Sequence, residues 1–110
     1  MLVTGDMGIG NTTPSAALIA ALTSTSARAV TGRGTGIDDE MLATKTKVVE
    51  TALGRLRPGA SPLTIAAEVG GLEIAALAGF IVAGAAARAP VVIDGVIGRA
   101  SCRERVYACV

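Results

Sequence analysis

The sequence predicts an α/β fold, with a mainly parallel sheet and flanking helices in a Rossmann-like three-layer core. The first observation is composition: 51% of the 110 residues are hydrophobic, with one Phe, one Tyr and no Trp. Small aliphatic side chains favour helices packed closely on a sheet. The second is the alternation of short β-branched runs with segments of helical periodicity. The third is a glycine-rich loop between an apolar run and a helix, which occurs twice.

A short apolar strand opens the chain and leads into the first glycine-rich loop, Gly5 to Pro14. We expect Thr12 or Thr13 to cap the following helix, with the proline in its first turn, where a missing N–H has no cost. The helix continues from Ser15 to Thr23. Such a junction directs free N–H groups and the positive end of the helix dipole toward one point, which predicts an anion site, above all for phosphate.

The second glycine-rich loop, Thr31 to Gly36, follows a brief apolar segment and also leads directly into a helix. Three acidic residues, 38 to 40, occupy the first turn of this helix. Arg55 and Arg57 lie at its end, and both charge patterns complement the helix dipole. The Pro58-Gly59 pair then ends the helix.

Lys45 is predicted to face the core from this second helix. The apolar residues form one stripe at helical spacing: Met41, Leu42, Val48, Val49, Ala52, Leu53 and Leu56. At about 100° per residue, Lys45 falls within the stripe and Lys47 on the opposite face. A buried ammonium needs a partner. The residues leave two interpretations open. In the first, the Lys45 side chain extends past the edge of the core to solvent or pairs with a carboxylate such as Asp6 or Asp94. In the second, it reaches a bound phosphate.

Two further helices follow. Ser61 is expected to cap a short helix that has Pro62 at its first position and ends at Val69. A Gly-Gly break precedes an apolar helix, Leu72 to Ala87. Its uncharged run is shorter than the roughly 18 residues that a membrane span requires, so we expect a buried helix and no membrane partner.

Residues Val91 to Ile93 predict a buried parallel strand. The Asp94-Gly95 pair follows it, at the end of the strand where open α/β sheets bind ligands. On spacing alone, an ordinary turn is the favoured explanation of this pair.

Charge and motif patterns exclude several classes of function. A net charge of +1 gives no reason to expect a nucleic-acid partner. No basic segment of a signal peptide precedes the first loop, so the cytoplasm is the expected location. The first loop is not a P-loop, because Gly10 is followed by Asn11-Thr12 and not by Lys-Ser/Thr. Its glycine spacing also differs from the dinucleotide-binding Gly-x-Gly-x-x-Gly.

Four sequence motifs, in this order along the chain, identify a family far more specifically than a generic glycine loop does. They are residues 5–13 (Gly-Asp-Met-Gly-Ile-Gly-Asn-Thr-Thr), 30–40, 70–79 and 90–95. They resemble the nicotinate-nucleotide–dimethylbenzimidazole phosphoribosyltransferase family across residues 1–96. The resemblance implies transfer of ribose 5-phosphate from nicotinate mononucleotide to 5,6-dimethylbenzimidazole, giving α-ribazole 5′-phosphate and nicotinate in synthesis of the cobalamin lower ligand. It implies no cofactor and no metal, because nicotinate leaves as a pyridinium-type base.

The resemblance also implies a substrate-binding site. Phosphate contacts of the family match Gly8, Gly34 and Lys45, and a carboxylate near the reacting bases matches Asp6. The family commonly has Glu at that position, and Asp is one methylene shorter. The general-base glutamate of the family lies downstream of the matched region, so no catalytic residue is assigned.

We therefore expect an internal fragment of a longer, homodimeric enzyme, with the fragment itself inactive. A non-catalytic nucleotide-phosphate-binding module is the alternative, since glycine loops and Lys45 indicate phosphate and not a reaction. A kinase-like transferase is disfavoured by the missing P-loop and metal-binding carboxylate pairs.

Residues 97–110 have a different origin in our interpretation. The ten residues Ile97 to Val106 are the translation of a common short-read sequencing adapter. We assign residues 1–96 to the phosphoribosyltransferase α/β domain and residues 97–110 to an unstructured, adapter-derived tail. Removing the tail takes away three arginines and one glutamate, which changes the net charge from +1 to −1, and leaves no cysteine.

Overall fold

The computed structural model describes residues 1–95, which form helices packed on one another and a small parallel sheet. The predicted boundary after residue 96 and the predicted tail lie outside these residues. In chain order the elements are β1 (Leu2–Val3), α1 (Thr12–Thr23), α2 (Ala27–Val30), α3 (Asp39–Leu53), α4 (Pro62–Val69), α5 (Leu72–Ala86) and β2 (Val91–Val92).

The two strands pair in parallel, as the sequence predicts. Leu2 lies opposite Val91, and Val3 lies opposite Val92. Thr4 extends the pairing beyond β1, because its N–H donates to the Val92 carbonyl at 2.9 Å. Its buried hydroxyl donates to the same carbonyl at 3.3 Å and accepts from the backbone N–H of residue 94 at 3.2 Å. The start of the first glycine-rich loop is thereby held beside the end of β2.

The sheet is smaller and more exposed than predicted. Val3 and Val92 are 60% and 46% exposed, because they share the face of the sheet turned away from α5. Leu2 and Val91 lie on the other face, against Gly84 of α5. The strand expected to be buried is therefore half-buried, and residues 1–95 do not by themselves form a three-layer core.

The core lies between α1 and its neighbours α3 and α4. Leu18 from α1 and Val49 from α3 are fully buried at its centre. Alanine residues surround Leu18 along α1, and their small side chains allow adjacent helices to approach closely. The buried cluster consists of Ala16, Ala17, Leu18, Ala27, Val49, Ile65, Val69 and Ile74.

The predicted cap of α4 is confirmed, whereas Asp38, predicted in the first turn of α3, is instead its cap residue. The Ser61 hydroxyl accepts the N–H of Thr64 at 3.2 Å, and Pro62 is the first residue of α4. Asp38 caps α3 by accepting the N–H of Met41 at 2.8 Å. These bonds satisfy donors that a helix N-terminus otherwise leaves unpaired.

The predicted cap of α1 is wrong. Thr12 and Thr13 lie inside the helix, and Asn11 occupies the cap position without a side-chain bond to the first turn. The sequence predicts no helix in the brief apolar segment before the second loop. In the structure, residues 27–30 of this segment form the one-turn helix α2.

The apolar faces of α3 and α5 are narrower than predicted. In α3, Met41 and Val48 are 53% and 52% exposed, although Val49 is fully buried. In α5, burial is confined to one stripe of Ile74, Ala78, Ile81 and Gly84, and Leu72 is 90% exposed. The sequence predicts a buried helix, and among residues 1–95 α5 is buried along this one stripe only. None of the described helices is long and apolar enough to cross a membrane.

Gly84 allows α5 to approach the sheet closely. A β-carbon at this position would lie 2.6 Å from Val91 Cγ2 and 3.1 Å from Leu2 Cδ1. We expect Gly84→Ala to lower the free energy of unfolding by about 1–3 kcal/mol, because overpacking must displace a β-branched side chain with few rotamers. Urea unfolding followed by circular dichroism measures this change.

Gly79→Ala is the matched control in the same helix. A β-carbon there meets no atom within 4 Å. Alanine is the better helix former, so we expect unchanged or increased stability, by up to about 1 kcal/mol. Equal destabilisation by both substitutions would contradict a specific contact between Gly84 and the sheet.

Candidate functional site

The Lys45 side chain joins the two glycine-rich loops. Its Nζ donates to the Thr12 hydroxyl oxygen at 2.8 Å and to the Gly32 carbonyl at 3.0 Å. Thr12 lies near the end of the first loop as defined from the sequence (Gly5 to Pro14) and is the first residue of α1, and Gly32 lies in the second loop. Lys45 is half-buried whereas Lys47 is exposed, which confirms the predicted orientation of the two lysines.

The partners of Lys45 are neutral oxygens. Within residues 1–95 neither Asp6 nor Asp94 pairs with the ammonium, and the ion pair present is the one between Arg33 and Asp39. Of the interpretations left open for Lys45, pairing with Asp6 or Asp94 is therefore not found among residues 1–95. A hydroxyl and a carbonyl orient the ammonium without neutralising it, so its positive charge remains available to an anion.

Gly34 lies against the same two groups. A β-carbon at Gly34 would be 3.3 Å from the Thr12 hydroxyl oxygen and 3.4 Å from Lys45 Nζ. Its φ of +56° is a conformation that side chains other than glycine rarely adopt. The structure thus brings together two of the predicted site residues, Gly34 and Lys45, and adds Thr12 to them.

The second loop is held in shape by the arginine beside Gly34. The Arg33 guanidinium donates to the Ile37 carbonyl at 2.8 Å and pairs with Asp39 in the first turn of α3. The Arg33 carbonyl accepts from the N–H of Gly36 at 3.1 Å, which closes a turn. These bonds attach the loop to the helix that carries Lys45.

Asp6 is connected to this region through Asn11. The Asn11 side-chain amide donates to Asp6 Oδ2 at 2.7 Å and to the Met7 carbonyl at 2.6 Å. Asn11 is buried, and its own backbone carbonyl accepts from the Ser15 hydroxyl at 2.9 Å. The side-chain oxygen of Asn11 is also buried, with no partner among residues 1–95. The bonds of Asn11 attach the exposed Asp6 carboxylate to the start of α1.

Gly8 is exposed at the tip of the first loop. A β-carbon built there meets no atom within 4 Å, so packing against the described residues does not require glycine at this position. The phosphate contact expected for Gly8 stays a prediction.

A separate cleft of about 210 Å³ lies between α1, α3 and α4. Thr13 lines this cleft, together with Val48, Arg55 and Glu68. Neighbouring threonines at the start of α1 therefore face different surroundings, since the Thr12 hydroxyl bonds to Lys45.

Sequence reasoning missed the roles of Asn11 and Thr12. Both residues are typical of helix caps, and that signal concealed their contacts with Asp6 and Lys45. The run of three polar residues after Gly10 is the signal that could have indicated these contacts. A helix needs only one capping side chain, so the other two are available for other bonds.

The site contains groups of the kind that bind phosphate in proteins. The ammonium of Lys45 lies beside the first turn of α1, at the positive end of the helix dipole. The Asn11 side chain does not cap this turn. Within residues 1–95, no cluster of three or more His, Cys, Asp or Glu side chains could hold a metal ion.

Comparison with known proteins relates this arrangement to one enzyme family. The family model described as Phosphoribosyltransferase matches residues 1–103. The chain is 58% identical over 98 residues to the nicotinate-nucleotide–dimethylbenzimidazole phosphoribosyltransferase of Salinispora tropica, and 57% identical over 99 residues to that of Desulforudis audaxviator. These alignments cover 88% and 89% of this chain, but 27% and 28% of the relatives.

Solved structures show the same relationship. The crystal structure of CobT from Thermus thermophilus superposes with a TM-score of 0.88 at 50% identity, covering 94% of this chain and 31% of that chain. The chain thus spans less than a third of the length of these relatives. Sequence identity, fold and the matched family model agree with the motif resemblance, and the chain belongs to the nicotinate-nucleotide–dimethylbenzimidazole phosphoribosyltransferase family.

Proposed function

We propose that the complete protein containing this chain transfers ribose 5-phosphate from nicotinate mononucleotide to 5,6-dimethylbenzimidazole. The observation that carries the proposal is the Lys45 ammonium, at which both glycine-rich loops meet. The names of relatives that are more than half identical support the choice of substrates. The products are α-ribazole 5′-phosphate and nicotinate.

The residues of the site have distinct roles in this proposal. The Lys45 ammonium binds the phosphate, which fixes the position of the attached ribose. Gly34 allows the second loop to approach that phosphate, and Gly8 contributes a backbone N–H from the first loop. Asp6, held by Asn11, provides a carboxylate near the two bases. Its shorter side chain places the carboxylate nearer to the loop backbone than glutamate would.

The reaction exchanges one C–N bond for another. A nitrogen of 5,6-dimethylbenzimidazole attacks the anomeric carbon, and the bond to nicotinate breaks as its ring nitrogen recovers the electron pair. The attacking base must lose its N–H proton. We propose that the glutamate that accepts this proton lies outside residues 1–95, so the described residues bind and orient the substrates.

The short span of the chain relative to its relatives supports a proposal about the rest of the complete protein. Because the chain spans less than a third of its relatives, we propose that further strands complete a parallel sheet and a three-layer core. We also propose a homodimeric, cytoplasmic enzyme. The 110-residue chain alone would then bind nucleotide but catalyse no transfer.

Product formation tests the reaction. The complete protein and the 110-residue chain are each incubated with both substrates, and α-ribazole 5′-phosphate is measured by liquid chromatography with mass detection. We expect product from the complete protein alone. Product from the 110-residue chain would contradict its proposed inactivity. Nucleotide binding without product by the complete protein would favour a non-catalytic phosphate-binding module.

Removing the Lys45 ammonium should weaken nucleotide binding. We expect Lys45→Ala in the complete protein to raise the KM for nicotinate mononucleotide about ten- to a hundredfold, the effect of one charged hydrogen bond. Lys47→Ala is the control, because Lys47 is an exposed lysine two residues away. A loss of thermal stability with unchanged KM would show that Lys45 is structural.

A side chain at Gly34 should disturb the same site from the second loop. Gly34→Ala adds a methyl group 3.3–3.4 Å from the Thr12 and Lys45 polar atoms, so we expect the KM for the nucleotide to rise about tenfold. Gly36→Ala is the matched control, because Gly36 also has a positive φ, +103°, but its β-carbon meets no atom within 4 Å. Backbone strain without a contact should lower stability and leave KM unchanged. An equal rise of KM in both variants would contradict the proposed contact.

A further inference from the structure

We propose that Thr12 is a second phosphate-binding residue, whose hydroxyl accepts a hydrogen bond from Lys45 and donates one to the phosphate of the substrate. The inference rests on the proposed function and adds a residue to the same site.

The first argument is the direction of the bond between Lys45 and Thr12. Lys45 Nζ and Thr12 Oγ1 are 2.8 Å apart. An ammonium group has three hydrogens and no lone pair, so it can only donate. The Thr12 oxygen therefore accepts, and the hydrogen of its own hydroxyl is directed elsewhere. Among residues 1–95, the Thr12 hydroxyl makes no other hydrogen bond.

The second argument compares Thr12 with the six other helical threonines among residues 1–95. Four of these six donate their hydroxyl hydrogen to the carbonyl four residues earlier, at 2.6 to 3.0 Å: Thr23, Thr44, Thr46 and Thr51. Thr64 bonds to the Ser61 hydroxyl, and the Thr13 hydroxyl makes no hydrogen bond within residues 1–95. Thr12 is the first residue of α1, so the carbonyl four positions earlier belongs to the glycine-rich loop. Its hydroxyl hydrogen is not used in this way.

The third argument is the hydrogen count at Lys45. Thr12 and Gly32 accept two of the three ammonium hydrogens, and one remains. One N–H and one O–H donor are thus left on atoms 2.8 Å apart. This spacing suits two oxygens of a single phosphate group. Phosphate oxygens are strong acceptors, and the ammonium charge strengthens the bond that Thr12 would make.

Gly34 leaves these two donors accessible from the second loop. Its missing β-carbon would lie 3.3 Å from Thr12 Oγ1 and 3.4 Å from Lys45 Nζ. Any other residue would place a methyl or methylene group against both atoms. The glycine at this position therefore fits a ligand that contacts both donors.

Replacement of Thr12 by valine tests the proposal, since valine keeps the branched shape and removes the hydroxyl. The probes are inorganic phosphate, with Kd from titration calorimetry, and nicotinate mononucleotide, with KM from product formation by the complete protein. We expect Thr12→Val to raise both constants about tenfold, the effect of one hydrogen bond to a charged group. The KM for 5,6-dimethylbenzimidazole should stay within about twofold, because the phosphate contact is remote from that base.

Two variants serve as controls. Thr12→Ser restores the hydroxyl, and we expect Kd and KM within about threefold of the unsubstituted protein. Thr13→Val makes the same change at the next residue, which lines the separate cleft. We expect it to leave both constants unchanged. Thermal unfolding of each variant checks that α1 is intact.

The outcomes separate this inference from the proposed function. Unchanged phosphate Kd in Thr12→Val, with weakened binding in Lys45→Ala, would overturn the role of Thr12 and leave the proposed function in place. Equal effects of valine at positions 12 and 13, or failure of Thr12→Ser to restore binding, would assign Thr12 a structural role and also overturn the inference. A complete protein that binds phosphate through Thr12 but forms no product would contradict the proposed reaction alone.

Discussion

The arrangement of this chain depends on one ammonium group held by two neutral oxygens. Lys45 comes from α3, its hydroxyl partner from the start of α1 and its carbonyl partner from the second loop. Three segments that are separated in sequence therefore meet at a single nitrogen atom. Because neither partner carries charge, the bonds determine where the ammonium lies without cancelling its field. A carboxylate partner would have given a stronger pair and a weaker anion site.

This arrangement requires a rigid support, and α1 provides it. The helix is the central element of the core, with Leu18 fully buried and small residues facing α3 and α4. Its first residue carries the hydroxyl that bonds Lys45, and its cap residue holds the Asp6 carboxylate. Side chains at the start of a well-packed helix keep their positions better than side chains on a free loop. The buried alanines of α1 thus support the positions of Asn11 and Thr12 through packing.

The sequence predicts those features of the fold and of the candidate site that depend on a single local rule. The spacing of apolar residues in α3 predicts the orientation of Lys45, and the Ser61-Pro62 pair predicts the start of α4, as the structure confirms. The partners of Lys45 could not be predicted, because periodicity gives the direction of a side chain but not the atoms that surround it. The role of Asn11 was missed for a related reason. Its amide can cap a helix or bond to the preceding loop, and only the folded backbone decides between them.

Exposure of Val92 likewise depends on which elements cover the sheet, not on the composition of the strand.

The parallel pairing of β1 with β2 also affects the order in which the chain acquires its structure. Thr4 bonds to the Val92 carbonyl across 88 positions of sequence, so a ribosome must release almost all of residues 1–95 before this pairing can form. The helices α1 to α4 depend on contacts much closer in sequence and can associate earlier. During synthesis the first glycine-rich loop is therefore attached at its α1 end before its β1 end is fixed. The Asn11–Asp6 bond is among the local contacts of this loop, whereas the bonds of Thr4 to β2 are the contacts most distant in sequence.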